Sequence, residues 1–266
     1  MPPIKNIMID SFFIPSLGRH NNQISFQSLP PRVQDITQIV VQPHEADLYK
    51  KNYPILVLPE SIKGITETRR WIYMNSMNIK YFVADDDLAW ICRTPNGEKS
   101  KRPMNADDWD YVLEQTDKWL DEFAFGGFRQ GNLPPSNKEY LESAAVNCLY
   151  FFNGKLLPDE SELDWSLSTV EDISMVLQLF QKGYNNRVWD KFGYLSDFVG
   201  TEGGCAEWRT LKLINDNHQK LIDKFPDYVS WNGEKEMMGG MFKKIKVQWK
   251  KCYMDSQRGN LNEFIV

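Results

Sequence analysis

Long apolar runs, paired cysteines and clustered histidines are all missing from this 266-residue sequence. No run reaches the roughly 18 apolar residues of a membrane-spanning helix, and the first ten residues lack the apolar middle of a signal peptide. We therefore expect neither membrane insertion nor secretion, and we place the protein in a cytoplasm. The four cysteines form no CxxC pair, which argues against a zinc site and against a disulfide framework.

A positive net charge is also missing. The chain carries 31 basic and 36 acidic residues, a formal net charge of -5. This net charge does not indicate nucleic-acid binding. It does not exclude such binding either, because the local charge of a surface, and not the total charge of the chain, determines whether that surface attracts a nucleic acid. No Walker pattern, internal repeat or low-complexity tract is found. The 42% hydrophobic and 13% aromatic residues can bury a large core, in one large domain or two small ones.

The most informative stretch is residues 79–93, where an apolar run at 81–84 ends in Asp85, Asp86 and Asp87. An apolar run of strand length closed by acid predicts a buried strand that ends at a surface crevice. Alternate residues of an extended chain point the same way, so Asp85 and Asp87 can face one point while Asp86 faces away. Two carboxylates suit Mg²⁺ or Mn²⁺, which neutralises a diphosphate. The alternative interpretation is a solvated acidic turn.

Three further runs predict strands near the amino terminus, at residues 7–14, 36–41 and 55–58. The first is stopped by Pro15 and followed by a turn in which Ser16 and Arg19 offer a hydroxyl and a guanidinium to an anion or a polar base. An ordinary strand–loop junction is the alternative. Residues 42–51 read as a short helix or loop, and strands separated by short helical segments predict a mainly parallel sheet.

A helix is predicted over residues 65–77, after Gly64, which allows close approach to a ligand. Thr66 or Thr68 is expected to cap this helix. Arg69 and Arg70 lie near its start, and neighbours on a helix are about 100° apart. One of the two arginines can therefore reach a phosphate while the other points to solvent.

The middle of the chain gives weaker signals. Residues 94–104 form a polar loop, which we interpret as a solvated excursion in preference to an acceptor-binding loop. Residues 107–123 have helical spacing and are scaffold. The glycines of 125–132 mark either a plain turn or a close backbone approach to a sugar or base. A strand at 147–152 is followed by Asn153 and Gly154, which predict a hairpin.

Two acids begin the next predicted helix, Glu171 and Asp172, and Ser168 or Thr169 can cap it. Acids in a first turn favour the helix dipole, which is the structural interpretation. The functional interpretation is a carboxylate that faces a cleft and serves as general base for a hydroxyl.

The last third of the chain contains a glycine-rich segment, a helix and a basic stretch. Residues 198–209 predict a mobile loop that orders over a ligand, and residues 211–225 one helix carrying His218. Residues 241–253 interleave lysines with aromatic residues, a pattern that can track a phosphate backbone and stack on bases. A basic face that only confers solubility is equally consistent with this pattern.

Four of these pieces occur in the order found in one known family. IPSLGR at 14–19, GITETRR at 64–70, YFVADDDL at 81–88 and VED at 170–172 resemble a GT-A glycosyltransferase. Within that fold the sequence resembles the phage DNA glycosyltransferases related to base J glucosyltransferase, which glycosylate hydroxymethylpyrimidines. The resemblance covers roughly residues 7 to 210.

The resemblance implies an α/β fold with a GT-A-like mixed, mainly parallel sheet flanked by helices. It implies a single domain over residues 1–215, with a nucleotide-sugar half at about 1–93 and an acceptor half at 94–215. Residues 216–266 would form a helical, basic C-terminal extension.

The family's functional residues carry over to matching positions. Ser16 and Arg19 would hold the nucleotide, Arg69 would reach the nucleotide or diphosphate, and Asp85 and Asp86 belong to the same donor-binding set. Asp85 and Asp87 would flank Mn²⁺ or Mg²⁺. Asp172, with Glu171 beside it, would deprotonate the acceptor hydroxyl in an inverting reaction, whereas a retaining enzyme would use the same residue to bind the acceptor. Many relatives add a late histidine to the metal, and His218 falls in that region.

The implied reaction moves glucose or arabinose from a UDP-sugar to 5-hydroxymethylcytosine in phage DNA, in the host cytoplasm if the chain is phage-encoded. In duplex DNA that hydroxymethyl group lies in the major groove, and catalysis there can require flipping of the nucleotide. Two alternatives stay open: a glycan, lipid or protein acceptor, and an inactive DNA-binding module.

Overall fold

The computed structural model of the chain describes residues 8–93, 101–136, 138–196, 204, 209–237 and 239–263. The predicted mobile loop at 198–209 therefore lies outside the described residues except for Gly204 and Arg209. Residues 94–100 of the predicted polar loop lie outside them as well.

One large mixed sheet forms the centre of the protein. Its ten strands in chain order are β1 (Ser11–Pro15), β2 (Thr37–Val41), β3 (Ile55–Val57), β4 (Lys80–Ala84), β5 (Leu88–Arg93), β6 (Lys101–Pro103), β7 (Phe125–Gln130), β8 (Tyr140–Glu142), β9 (Leu149–Asn153) and β10 (Asn186–Ser196). In space the order is β3-β2-β1-β4-β9-β7-β10-β5-β6, and β8 pairs with β10.

Eight helices and a separate hairpin complete the described chain. The helices are α1 (Ile24–Gln27), α2 (Pro31–Gln34), α3 (Ala46–Tyr49), α4 (Gly64–Asn75), α5 (Ala106–Trp119), α6 (Glu171–Gln181), α7 (Leu211–Lys224) and α8 (Trp249–Glu263). The hairpin consists of β11 (Val229–Met237) and β12 (Gly240–Val247). None of the helices in the described part of the chain is long and apolar enough to cross a membrane.

Parallel pairing in the first half of the chain creates the edge where the site lies. β1 runs parallel to both β2 and β4, and β2 runs parallel to β3. Antiparallel pairing dominates the second half, where β9 lies between β4 and β7. Because β1 and β4 are parallel neighbours, the turn after Pro15 and the acids after Ala84 meet at one edge of the sheet.

Both faces of the sheet are covered by apolar layers. In β1, Phe12 belongs to the layer that contains Trp109 of α5, and Phe13 belongs to the layer that contains Tyr73 of α4 and Val176 of α6. Successive side chains of a strand point to opposite faces, so a strand covered on both faces reads as a continuous apolar run. β4 is buried at all five positions. The predicted mixed α/β fold with helices on both sides of the sheet is confirmed.

The glycines at 126 and 127 do not form a turn or a ligand approach. They lie within strand β7, where a Cβ on Gly126 would stand 2.1 Å from the carbonyl oxygen of Arg187 and 2.2 Å from the ring of Phe151. These glycines let neighbouring strands and rings pack closely, so for Gly126 and Gly127 both the plain turn and the approach to a sugar or base were wrong.

Other local predictions also need correction. Residues 101–103 form β6 against β5 rather than loop. No hairpin follows β9, because Gly154–Leu156 form a 3₁₀ turn. Neither α4 nor α6 has a side-chain N-cap. The hydroxyl of Thr66 donates to the carbonyl of Leu167, and that of Thr68 donates to the carbonyl of Gly64.

Candidate functional site

The turn after β1 is tied to the acid cluster after β4. The Ser16 hydroxyl donates to Oδ2 of Asp86 at 2.5 Å. The Arg19 guanidinium binds Asp86 and also donates to Oδ2 of Asp87 at 3.0 Å. The two strands are adjacent and parallel, so the contact joins residues about 70 positions apart. The structure thus brings Ser16 and Arg19 together with two of the three aspartates.

Two buried residues from the segment after β2 shape this turn. The Tyr49 hydroxyl lies 2.9 Å from the Ser16 hydroxyl and accepts the Arg19 backbone N–H at 2.9 Å. Glu45 accepts the backbone N–H of Gly18 at 2.8 Å. Neither residue was singled out from the sequence, because each acts through a long-range contact that no local motif reports.

The three aspartates have different environments. Asp86 is only 5% exposed and faces the β1 turn, and burial raises its pKa to about 6 against the opposing effect of Arg19. The side chains of Asp85 and Asp87 keep 31% and 21% of their surface exposed. Burial raises the pKa of Asp87, and the nearby Asp85 charge raises it further. The acid cluster is therefore a structured site with two reachable carboxylates, not a freely solvated turn.

Arg69 joins this cluster to the second acidic motif. From α4 it donates to Oδ1 of Asp85 and to Oε1 of Glu171, each at 2.5 Å, and its guanidinium lies 5.8 Å from the ring centre of Tyr150. Arg70 points outward, with 39% of its side chain exposed, and pairs with Glu160. Of the two arginines, Arg69 therefore faces the site. The carboxylates that it holds were predicted for two separate tasks.

Glu171 and Asp172 begin α6 at the same crevice. Glu171 is 7% exposed, and burial raises its pKa to about 7 although Arg69 opposes the shift. Asp172 stays partly exposed, and its Oδ1 accepts the N–H of Ile173 at 2.8 Å. Burial also raises the pKa of Asp172. The predicted caps Ser168 and Thr169 instead accept from the Asn217 amide. Asp172 is the more accessible acid, because Glu171 is held by Arg69.

A strained turn supports the backbone of Asp85. The carbonyl of Cys148 accepts the N–H of Asp85 at 2.9 Å, and the N–H of Leu149 donates to the carbonyl of Asn147 at 2.7 Å. This three-residue turn places Cys148 at φ 61°, which is uncommon for a residue other than glycine. The sequence gives no signal for it, since the residue at its centre is not a turn former.

A cavity of about 480 Å³ adjoins the Ser16–Arg19 turn. It lies beyond the ends of the three parallel strands β1, β2 and β3 and beside the start of α4. Its lining residues are Leu17, Gln42, Pro43, His44, Glu60, Lys63 and Gly64. Gly64 has φ +80°, and a Cβ there would meet no atom within 4 Å. Apolar walls with several polar groups suit a nucleoside.

The structure does not bring His218 together with Asp85 and Asp87. Its Nδ1 lies 2.8 Å from the carbonyl oxygen of Lys243, and its ring contacts Trp231 and Phe242. Within the described ranges, no group of three or more His, Cys, Asp or Glu side chains could hold a metal. Asp85 and Asp87 remain as a pair of carboxylates, and Mg²⁺ is often held by one or two carboxylates and completed by water and phosphate oxygens.

Comparison with known proteins places the chain in a family. The sequence model of the TET-associated glycosyltransferases matches residues 11–204. The beta-glucosyl-HMC-alpha-glucosyl-transferase of Enterobacteria phage T6 is 22% identical in an alignment 237 residues long, and the match covers 83% of this chain and 82% of that protein.

Solved structures give weaker likenesses. Residues 1–349 of S. aureus TarS in complex with UDP-GlcNAc share 11% identity at a TM-score of 0.47, over 80% of this chain and 66% of that one. CMP:2-keto-3-deoxy-manno-octonic acid synthetase in complex with CTP shares 11% identity at a TM-score of 0.44, over 82% of this chain and 98% of that one. The family match covers most of the chain and includes the β1 turn, Arg69, the aspartates and the Glu171–Asp172 pair. The chain is therefore an enzyme of the TET-associated glycosyltransferase family.

Proposed function

We propose that this glycosyltransferase moves a sugar, glucose or arabinose, from a UDP-sugar to 5-hydroxymethylcytosine in phage DNA, with Mn²⁺ or Mg²⁺ as cofactor. The observation that carries the proposal is the convergence of the donor-side and acceptor-side acids on one buried arginine. Asp85 and Glu171, which lie 16 and 102 positions from Arg69, are both bound to it. The two predicted halves of the chemistry therefore share one crevice.

The donor side has the groups that a nucleoside diphosphate needs. The cavity beside the β1 turn is large enough for a nucleoside, and Arg19, two residues after the cavity-lining Leu17, binds Asp86 and Asp87. Asp85 and Asp87 would hold the cation, which when bound neutralises charge on the leaving diphosphate. Mn²⁺ and Mg²⁺ both prefer carboxylate oxygens. His218 is not needed for this arrangement, because water and diphosphate oxygens can fill the remaining positions.

The acceptor side has a carboxylate suited to removing a proton. Asp172 is partly exposed, and burial raises its pKa toward the working range of a general base. Its backbone-held Oδ1 leaves Oδ2 to accept the proton of an acceptor hydroxyl. Glu171 would keep Arg69 in place beside it. The step forms a bond between the acceptor oxygen and the sugar and releases UDP, with the hydroxyl proton on Asp172.

The acceptor assignment is supported by the phage T6 relative, whose name describes a glucosyl transfer to beta-glucosyl-HMC. That name also favours a second candidate acceptor for this chain: a glucose already attached to hydroxymethylcytosine. Both acceptors present a primary or secondary hydroxyl group to the carboxylate of Asp172. The same proton transfer to Asp172 therefore serves either acceptor. A glycan, lipid or protein acceptor is the remaining alternative.

The test is incubation of the purified protein with Mn²⁺, a panel of UDP-sugars and three duplexes of one sequence, followed by nucleoside mass analysis. The duplexes contain cytosine, 5-hydroxymethylcytosine or beta-glucosyl-hydroxymethylcytosine. We expect a hexose- or pentose-sized mass gain on one of the two modified bases and none on cytosine. A gain on the glucosylated base alone would favour the second acceptor.

Two results would contradict the proposal. Release of UDP only with glycan, lipid or protein acceptors would keep the donor site and overturn the DNA assignment. DNA binding without turnover of any donor would identify an inactive binding module.

A further inference from the structure

The hairpin of β11 and β12 packs against the rest of the protein at its base and along one edge. Val229 is 2% exposed, and Ile245 and Val247 pack against the same apolar layer. Helix α7 covers the outer edge of β12: Asn215 donates to the carbonyl of Met241 and accepts the N–H of Lys243, at 2.9 and 3.0 Å. These contacts fix the orientation of the two hairpin faces relative to the core and to α7.

Charge is segregated between the two faces of the hairpin. Cross-strand partners share a face, so Glu234 lies with Lys243, and Glu236 lies with Met241. This is the face whose base enters the core. The other face contains Lys235 opposite Phe242, and Lys246 opposite Ser230, with Lys244 between them. It therefore has three lysines and no acid.

The three lysines are available to a ligand. Lys235 and Lys246 are exposed, and Lys244 is partly exposed. Among the residues that the structure describes, no carboxylate forms an ion pair with any of them. Residues two apart on a strand are separated by about 6.8 Å, so Lys244 and Lys246 form a regular positive row. Residues 229–251 contain six lysines and two glutamates, a net charge of +4 in a chain whose net charge is -5.

Helix α7 connects this hairpin to the candidate base. On one side Asn215 and His218 bind β12. On another side the Asn217 amide donates to the hydroxyl oxygen of Thr169 at 2.9 Å, three residues before Asp172. Asn217 is 1% exposed, so this joint is buried. Helix α7 therefore links the hairpin directly to the segment that leads into α6.

We propose that the lysine face of the hairpin, Lys235, Lys244 and Lys246, docks the phosphate backbone of duplex DNA. The proposal rests on the DNA acceptor proposed above, and it names the element that binds that acceptor. Lysine rows bind phosphates without reading sequence, and each contact releases counterions, so the affinity depends on salt. The hairpin then supplies general DNA affinity, and the crevice at Asp172 selects the modified base.

The test compares two triple variants of the full chain that remove equal charge. K235Q/K244Q/K246Q changes the lysine face, and K51Q/K118Q/K155Q changes three exposed lysines elsewhere. Binding of an unmodified duplex is measured by fluorescence anisotropy over a series of salt concentrations, and thermal unfolding checks that each variant is folded. A third variant, K235R/K244R/K246R, keeps the charge.

We expect the hairpin variant to reduce the slope of log K against log salt by about 3, or about 1 per lysine. The control and arginine variants should keep the wild-type slope. With modified duplex as acceptor, the hairpin variant should raise KM by the factor lost in binding and leave kcat at the wild-type value. If the triple variant unfolds, K246Q alone should reduce the slope by about 1.

The proposal is overturned if the hairpin and control variants bind duplex with the same slope, or if the wild type binds no duplex. It is also overturned if the hairpin lysines are needed only for binding to phosphatidylserine vesicles. Loss of duplex binding in the hairpin variant, together with a wild type that transfers no sugar to modified DNA, would leave the docking surface standing and reject the acceptor assignment. The two failures are therefore distinguishable.

Discussion

Nη1 of Arg69 lies 2.5 Å from Oε1 of Glu171, so helix α4 is joined to the first turn of α6 inside the crevice. The same guanidinium binds Asp85 through Nη2 at 2.5 Å. A planar guanidinium presents its donors in a fixed fork, which makes it suitable for holding two carboxylates at a set separation. Asp85 and Glu171, which we propose to lie on the donor and acceptor sides, are therefore positioned by one buried guanidinium.

The first prediction concerns the contribution of the Arg69 guanidinium to the stability of the folded protein. Arg69→Met keeps much of the side-chain volume but leaves Glu171 and Asp85 without their positive partner. Breaking a buried pair by removing one partner costs about 3–5 kcal/mol, so we expect the free energy of unfolding, measured in urea, to fall by that amount. The matched control is Arg70→Met on the same helix, where an exposed pair should contribute about 1 kcal/mol or less. Equal losses in the two variants would contradict the role given to Arg69.

The second prediction concerns the pH dependence of stability. The Glu171 carboxyl has a pKa of about 7 in the folded protein, against 4.5 for an ordinary glutamate. Between these values the folded state binds a proton that the unfolded state has lost, so stability falls as the pH rises from about 4.5 to 7. The shift corresponds to about 3 kcal/mol.

Glu171→Gln removes this titration. Urea unfolding of wild type and variant between pH 4.5 and 8 should show that the stability of the wild type relative to the variant decreases as the pH rises. A constant difference across this range would show that Glu171 does not titrate in this way.

The third prediction concerns proton removal from the acceptor. Asp172→Asn should reduce kcat by about 10²–10⁴ because a positioned general base contributes that much, while UDP-sugar binding stays close to wild type. The wild-type rate should also fall on the acid side at a pH above the ordinary aspartate value, since burial raises the pKa of Asp172. Asp223→Asn, on the exposed side of α7, is the control. Full activity of Asp172→Asn would assign the base elsewhere.

The fourth prediction concerns the cation. Asp87→Ala should reduce transfer by more than about 100-fold, because a bound metal stabilises the leaving diphosphate by several kcal/mol and each 1.4 kcal/mol is a factor of ten. Calorimetric titration with Mn²⁺ in the presence of UDP should show weakened binding in this variant. Asp47→Ala removes an aspartate that is exposed, and it should change neither quantity. Retention of full, Mn²⁺-dependent activity would reject Asp87 as a ligand.

Local sequence patterns predicted the elements that depend on local physics. The apolar run before Asp85 predicted β4, and the 100° spacing of helix neighbours predicted that only one of Arg69 and Arg70 faces the site. The predicted capping residues of α4 and α6 were wrong, because hydroxyl groups near the start of a helix can form hydrogen bonds with other parts of the fold. The glycines of β7 were misread for a similar reason: the ring of Phe151 and the backbone at Arg187 require them, and both lie far along the chain.

What the sequence by itself determined is the set of short motifs, at strand ends and helix starts, that places the chain among the glycosyltransferases, since each motif is a short run that can be read without knowing the fold. Only the tertiary structure decided how the motifs meet. The pairing of Arg69 with Glu171 spans 102 positions, and Asp86 turns toward Ser16 across 70. Such contacts follow from strand order and helix packing, which arise from burial of the whole core and leave no periodic signal in the residues that make them.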